Sequence, residues 1–282
     1  MRLIDQLRSL NNFRKALNWQ TVRQVCGARL QFKVVDKPLG SRILVFSPHP
    51  DDDVFALGGT LLKHKKANDT IKVIYLTDGS RGTPERIRDK SLIEIRQKEA
   101  QAALAVLGID DFTFWGYQDG KLVKNSTTYK AAYNILSDFQ PEIIYLPHFL
   151  DNQPDHFETN RIVLAALFES IEGPIRTEKK LPNAWPHLRI WAYEVWSPIF
   201  INRLVDISKE IEKKKEAMKK HLSQLKCREY DKAMVALNEY RGKSMRVGDY
   251  AEGFFEAPAD IYYYLFQTLQ QGPEGLPIVS KK

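Results

Sequence analysis

From residue 41 onward the hydrophobic positions fall into short runs that alternate between two periods. RILVFS (42–47), IKVIYLT (71–77), FTFW (112–115), EIIYLP (142–147) and RIWAYEVW (189–196) are apolar, β-rich runs, a pattern expected of strands covered on both faces. Between them, VFALGGTLLKHKKA (54–67), SLIEIRQKEAQAALAVLG (91–108), TTYKAAYNILSDF (127–139) and FETNRIVLAALFESI (157–171) carry helical spacing. Gly58 and Gly59 weaken the first helix, and Gly108 ends the second. Strands alternating with helices predict an α/β, Rossmann-like parallel sheet, order about 3-2-1-4-5, with helices on both faces. Beyond residue 200 the pattern is mostly helical to about 240, followed by VGDYAEGFFEAP (247–258) as a glycine-containing loop and a short apolar tail. Residues 1–40 stand apart as an N-terminal extension with one amphipathic helix, and 41–282 form the main domain.

In such a sheet ligands sit outside the carboxyl ends of the strands, where the strand order reverses. PHPDDD (48–53) follows the first strand and PHFLDNQPDHFETN (147–160) follows the fourth, its neighbour across the reversal. His49, Asp51, Asp52 and Asp53 are therefore expected to face His148, Asp151, Asp155 and His156. Two histidines and one aspartate make a hydrolytic zinc shell that leaves room for water. Zinc lowers the pKa of that water toward ~7 and polarises a carbonyl oxygen. A carboxylate beside the metal can take the water's proton. One Asp that ligates next to one that acts as base accounts for consecutive carboxylates, whose repulsion a cation offsets.

Composition narrows the alternatives. The chain has 282 residues, 43% of them hydrophobic, enough for one large α/β domain with an appendage. The net charge of +7 raises the question of nucleic acid, but residues 1–40 alone hold eight Lys/Arg against two Asp. A second basic run, KEIEKKKEAMKKH (209–221), is interleaved with Glu and reads as an exposed helix face. No nucleic-acid motif accompanies either stretch, so none is expected as a partner. No run of about 18 apolar residues and no signal-like N-terminus occurs. Cys26 and Cys227 read as free thiols. These features point to a cytoplasmic protein. The basic, amphipathic segment at 1–25 suits packing on the domain or a dimer contact better than attachment at the membrane periphery.

PHPDDDVFALGGTLLKH, VIYLTDGSRG, EIRQKEAQAALAVLG and QPDHFETN, in this order, resemble the LmbE/PIG-L-type deacetylases. That family includes the N-acetylglucosaminyl deacetylases of mycothiol, bacillithiol and GPI-anchor synthesis and the archaeal diacetylchitobiose deacetylases. The resemblance spans roughly 42–260, with AMKKHLSQ (217–224) and YAEGF (250–254) as its C-terminal segments. It implies His49, Asp52 and His156 as ligands of one zinc per chain, another divalent ion remaining open, and Asp51 as general base. Asp155 would be the carboxylate that orients the site. Arg81, in TDGSRG, would bind substrate hydroxyls or a phosphate.

Two positions depart from the family pattern. Gln153 stands where many members have a histidine acid, and an amide cannot deliver a proton at neutral pH. His148, His221 and Asp155 are then the candidates to protonate the leaving amine. Asp53 replaces a glutamate and is expected near the cleft. Among aromatics, Trp115 and Tyr117 are the better candidates for the cleft, while Trp191, Tyr193 and Trp196 read as core. The implied function is zinc-dependent removal of acetyl from an N-acetylated amino sugar, an N-acetylhexosamine in a glycan, glycolipid or glycoside precursor. The competing readings are a metallohydrolase of another acyl amide and, because of Gln153, a catalytically weak glycan-binding or assembly protein. Homo-oligomerisation is left open.

Overall fold

A computed structural model describes residues 33–85, 87–168 and 187–270. Its centre is β2 (Arg42–Ser47), flanked by β3 (Thr70–Thr77) and β5 (Ile143–Pro147). β4 (Phe112–Tyr117) lies outside β3, and β6 (Arg189–Tyr193) lies outside β5. These five strands, numbered along the chain, realise the expected 3-2-1-4-5 order, and all pair in parallel.

Three strands extend the sheet beyond that expectation. β8 (Ala251–Pro258) pairs with β6, then β7 (Arg203–Asp206) and β1 (Lys33–Val35) complete one edge. β8 runs antiparallel to both neighbours, and β1 pairs parallel to β7. The stretch expected as a loop is thus mostly a buried strand. Its glutamates hide it: Glu252 is neutralised by Lys214 at 2.7 Å and Glu256 by Arg203 at 2.7 Å and by Arg189, so acidic residues occupy covered positions. The amphipathic helix expected within 1–25 falls outside the described residues.

Strand alternation divides the core into two layers. Ile43, Val45, Tyr75, Tyr145 and Phe254 pack under α1 (Asp52–Lys66), α2 (Ser91–Leu107), α5 (Ile211–Met218) and α7 (Tyr230–Ser244). Leu44, Phe46, Ile74, Leu146 and Ala192 pack under α3 (Ser126–Phe139), α4 (Pro154–Phe168) and α8 (Ala259–Gln270). The segment directly after β8 is helical as α8, and its Tyr262 and Phe266 are core residues.

α1 is kinked at Leu57, whose φ of −134° and ψ of 18° leave the helical region. Beyond the kink the amides of Gly59 and Thr60 donate to the Glu252 carboxylate at 2.9 and 2.7 Å. Lys214 and the Thr60 hydroxyl complete that buried network. The glycines admit close neighbours: a Cβ on Gly59 would lie 2.7 Å from Ile207 Cγ2. The glycine pair inside a helical pattern thus marks where β8 and the loop after β7 press against α1.

Candidate active site

The helix after β2 (α1) and the helix after β5 (α4) go to opposite faces of the sheet, which opens a crevice between two adjacent strand ends. The two polar clusters meet there. Asp51 is the residue capping α1, so Asp51 and Asp52 sit at the start of that helix. His156 lies in the first turn of α4.

Asp52 Oδ2 is the hub. It lies 3.0 Å from His49 Nδ1 and 3.1 Å from His156 Nε2, and it accepts from the His49 amide at 2.9 Å. His49 Nδ1 and His156 Nε2 are 3.4 Å apart. The donor atoms of His49, Asp52 and His156 all lie within 4.8 Å of one another, a group that can hold a metal ion. Asp52 Oδ1 is buried with no hydrogen-bond partner, as a carboxylate set aside for a cation would be.

The electrostatics point the same way. Burial opposes charge on both imidazoles, but the Asp52 carboxylate outweighs it, raising His156 to about 9 and His49 well above the ordinary histidine value. Burial would likewise raise Asp52, yet the charges of His156 and His49 hold it below the usual carboxylate range. The pocket thus concentrates negative potential that two protons neutralise here and a divalent cation can neutralise instead. The imidazole and carboxylate donor set suits zinc.

Around the three lie the groups that orient them. Asp155 Oδ2 is 3.3 Å and Asp119 Oδ1 3.5 Å from His49 Nε2. Asp155 is itself held by the amides of Gly120 at 2.7 Å and Leu122 at 3.3 Å. Asp119 accepts from the Arg81 amide at 2.9 Å; burial would raise its pKa, but its bond to His49 prevails and lowers it to about 2. Asp151 Oδ2 approaches His156 Nδ1 at 3.4 Å. Outer carboxylates of this kind fix imidazole orientation and strengthen ligand basicity.

Asp51 has different surroundings. Its Oδ2 is 2.9 Å from the Arg96 guanidinium, while its Oδ1 has no partner. Burial raises its pKa and the Arg96 charge partly offsets that. Arg96 also donates to the Gly79 carbonyl at 2.9 Å, linking α2 to the loop after β3. A Cβ on Gly79 or Gly82 would fall 2.7 Å from that guanidinium, so both glycines make room for it.

A cleft of about 460 Å³ opens onto these groups, within the usual range of small-molecule sites. His49, Asp51, Asp155, Arg81 and Gln153 line it together with Arg96, Asp119 and Trp196. His148 and His221 are not among the residues that line it. His148 is a buried packing residue: its Nδ1 accepts from the Leu150 amide at 3.0 Å, its ring lies against Phe149, and burial lowers its pKa to about 4. His221 is fully buried beside Phe55, and burial, reinforced by the Arg96 charge, lowers it to about 3. From the same segment Gln224 reaches the cleft instead. Asp53 turns inward, accepting from the Tyr75 hydroxyl at 2.9 Å, and burial raises it to about 7.

The aromatic assignment changes at three positions. Trp115 packs edge-on against Phe46 and Tyr117 against Trp115, outside the cleft lining, whereas Trp196 lines it. Trp191 and Tyr193 are core residues as expected. Asp119 and Arg96 were not singled out by sequence reasoning, although each left a signal. Asp119 follows β4 at the same sheet end as the two histidine clusters. Arg96 falls on the helix face that carries buried Ala100, Ala103 and Leu107.

Fold and site together define a class: a mostly parallel α/β sheet whose switch-point crevice holds a histidine–aspartate–histidine group able to hold a metal ion, with a second carboxylate beside it. Residues 44–167 match the family model PIG-L, described as GlcNAc-PI de-N-acetylase, and over that stretch the chain is similar to this family. Among curated relatives it is 28% identical over 190 residues to a probable N-acetyl-alpha-D-glucosaminyl L-malate deacetylase 2 of Bacillus anthracis, covering 64% of this chain and 80% of that one. Among solved structures it resembles the N,N'-diacetylchitobiose deacetylase of Pyrococcus horikoshii, with a TM-score of 0.67, 25% identity, and 89% and 94% of the two chains covered. A 4-carboxy-2-hydroxymuconate hydratase, GalB, shares the fold at a TM-score of 0.64 and 22% identity, over 77% of this chain and 95% of that one. A fold shared with a hydratase leaves the chemistry to be argued from the site.

Proposed function

We propose that the protein hydrolyses the acetamido group of an N-acetylated amino sugar, with zinc held by His49, Asp52 and His156. The observation that carries this reading is Asp51: a cleft-lining carboxylate next in sequence to a metal-group aspartate, with one oxygen tied to Arg96 and the other unpartnered. A site for binding alone has no use for that second carboxylate. The B. anthracis and P. horikoshii relatives, both named as deacetylases of N-acetylglucosamine compounds, support the choice of substrate class.

Zinc bound there supplies a Lewis acid that polarises a carbonyl oxygen and acidifies water. The chain's own groups do the rest. Arg96 holds Asp51 Oδ2 and leaves Oδ1 to take a proton from the attacking water. Asp119 and Asp155 keep the His49 ring oriented. Gln153, on the cleft wall, donates its amide N–H to the developing oxyanion. Because the amide has no proton to release, the proton gained by Asp51 passes to the departing nitrogen. Water adds to the carbonyl carbon, the C–N bond breaks, and acetate and a free amine leave.

The test is acetate release from a panel of N-acetylhexosamine glycosides by zinc-loaded protein, beside Asp51→Asn at matched metal content. Wild type should release acetate, and the variant should be slower by at least ~10²-fold, the contribution of a general base. Equal rates in the two proteins would remove Asp51 from the mechanism. No release from any acetamido sugar would remove the activity.

A further inference from the structure

The run FETNRIVLAALF (157–168) in α4 is apolar from Ile162 onward, yet Thr159 and Asn160 lie fully buried near its start. Buried polar side chains persist where their hydrogen bonds are made. Thr159 Oγ1 donates to the Asp155 carbonyl at 2.7 Å. Asn160 Nδ2 donates to the His156 carbonyl at 3.0 Å and to the Pro147 carbonyl, at the end of β5, at 2.9 Å. Two carbonyl acceptors fix which end of the amide is nitrogen, and both of its N–H bonds are then used.

The amide oxygen of Asn160 accepts from the Tyr262 hydroxyl at 3.0 Å, across 102 positions of sequence from α8. Tyr262 is fully buried, and burial raises its pKa well above the ordinary tyrosine value, so it keeps the proton it donates. Its ring meets Phe149, from the loop after β5, with centroids 5.1 Å apart. One buried chain of bonds thus runs from α8 through Asn160 to both ends of the connection between Pro147 and His156. That connection carries Gln153 and Asp155, which line the cleft, and Asp151, which approaches His156 Nδ1. The surrounding core is aliphatic and aromatic, so a leucine at 160 and a phenylalanine at 262 would serve for packing. What the amide and hydroxyl add is direction: they set the peptide of His156 against the end of β5, and with it the aim of the imidazole at Asp52.

We infer that Asn160 and Tyr262 are positioning residues for the metal centre, a buried clasp that holds the His156-bearing turn of α4 in its metal-binding geometry. Both act through the backbone, since their bonds go to carbonyls and to each other. The clasp rests on the proposed zinc ligands His49, Asp52 and His156, and on no step of the hydrolysis. It makes α8, which lies outside the 44–167 stretch similar to the family, part of the support of the metal centre. A ligand whose backbone is left free has to be ordered by the metal itself, and affinity falls accordingly.

The test is zinc affinity of the full-length, chelator-treated protein, measured by competition with a chromophoric chelator, together with the visible absorption of the cobalt-loaded protein, which reports ligand geometry. Tyr262→Phe keeps the ring and removes the hydroxyl; Asn160→Leu keeps the volume and removes the amide. Each should raise the zinc Kd by at least about tenfold and alter the cobalt bands, the effect expected when a partner that orients a ligand is lost. The double variant should be no weaker than Asn160→Leu, because the two side chains act as one unit. Leu136→Ala, a core truncation in α3 away from the loop, serves as the stability control and should leave Kd and bands at the wild-type values. If Asn160→Leu does not fold, Tyr262→Phe decides alone. Wild-type zinc affinity and cobalt bands in Tyr262→Phe would overturn the clasp and leave the metal centre intact. An equal loss of affinity in Leu136→Ala would also overturn it, since the effect would then be one of stability. Absence of zinc binding by the wild type would overturn the metal centre and the clasp together.

Discussion

Position 153 concentrates the chemical question at the scale of single residues. Gln153 lines the cleft one turn before His156, where an imidazole would be both donor and acid. With an amide there, the proposed mechanism has Asp51 carry a proton in both directions. Gln153→His supplies a second acid, and kcat for acetate release should rise by at least about tenfold, with activity falling again above the imidazole pKa. A pH–rate profile of the two proteins checks this; an unchanged rate would leave Asp51 as the sole proton carrier. Arg96 shows why some residue roles were hidden from sequence reasoning. Its place on the apolar face of α2 was visible, but its partner Asp51 is 45 positions earlier, and only folding brings them to 2.9 Å.

Elements depend on such distant pairings as well. α1 carries the site at its first turn and survives its kink because Glu252, from β8, accepts the amides of Gly59 and Thr60. Lys214 from α5 neutralises that glutamate, and both side chains are fully buried. Lys214→Met leaves a buried carboxylate without its cation and should cost roughly 3–5 kcal/mol in denaturant titration. Adding Glu252→Gln should recover part of the loss, and the double-mutant cycle measures the coupling. The same pair accounts for the misreading of 247–258. A strand with glutamates at covered positions lacks the apolar run by which strands are recognised, since its cations come from other elements. Where the runs were uninterrupted, from β2 through β6, the order was legible, because parallel strands joined by right-handed crossovers admit few arrangements.

For the molecule as a whole, two conditions set stability. A metal that binds only the folded state adds about 2.7 kcal/mol at a hundredfold its Kd. Adding zinc should therefore raise the melting temperature of chelator-treated protein, and His156→Ala should abolish most of that rise. Acid acts through buried neutral histidines. His64, bonded to Asp69 at 2.7 Å and Tyr145 at 2.9 Å, is lowered by burial from 6.5 to about 4. The unfolded chain takes up this proton below 6.5 and the folded protein does not, so the contribution is complete above 6.5 and declines as pH falls toward 4. Relative to His64→Gln, wild type should lose up to ~1.4 kcal/mol per pH unit across that window, measured by guanidinium titration at several pH values.

The linear chain by itself determined the alternation of strands and helices, the order of the five central strands and the clusters that follow β2 and β5. Local periodicity and connection rules suffice for these, and the chemistry of His49, Asp52 and His156 is carried by residue type at strand ends. Tertiary structure alone decided which neighbours of those residues face the cleft. It buried His148, His221 and Asp53, brought Asp119 and Trp196 to the wall, tied Arg96 to Asp51, and added β8, β7 and β1 to the sheet. The physical reason is that side-chain burial and charge compensation depend on partners far away in sequence, and no local pattern records which partner will arrive.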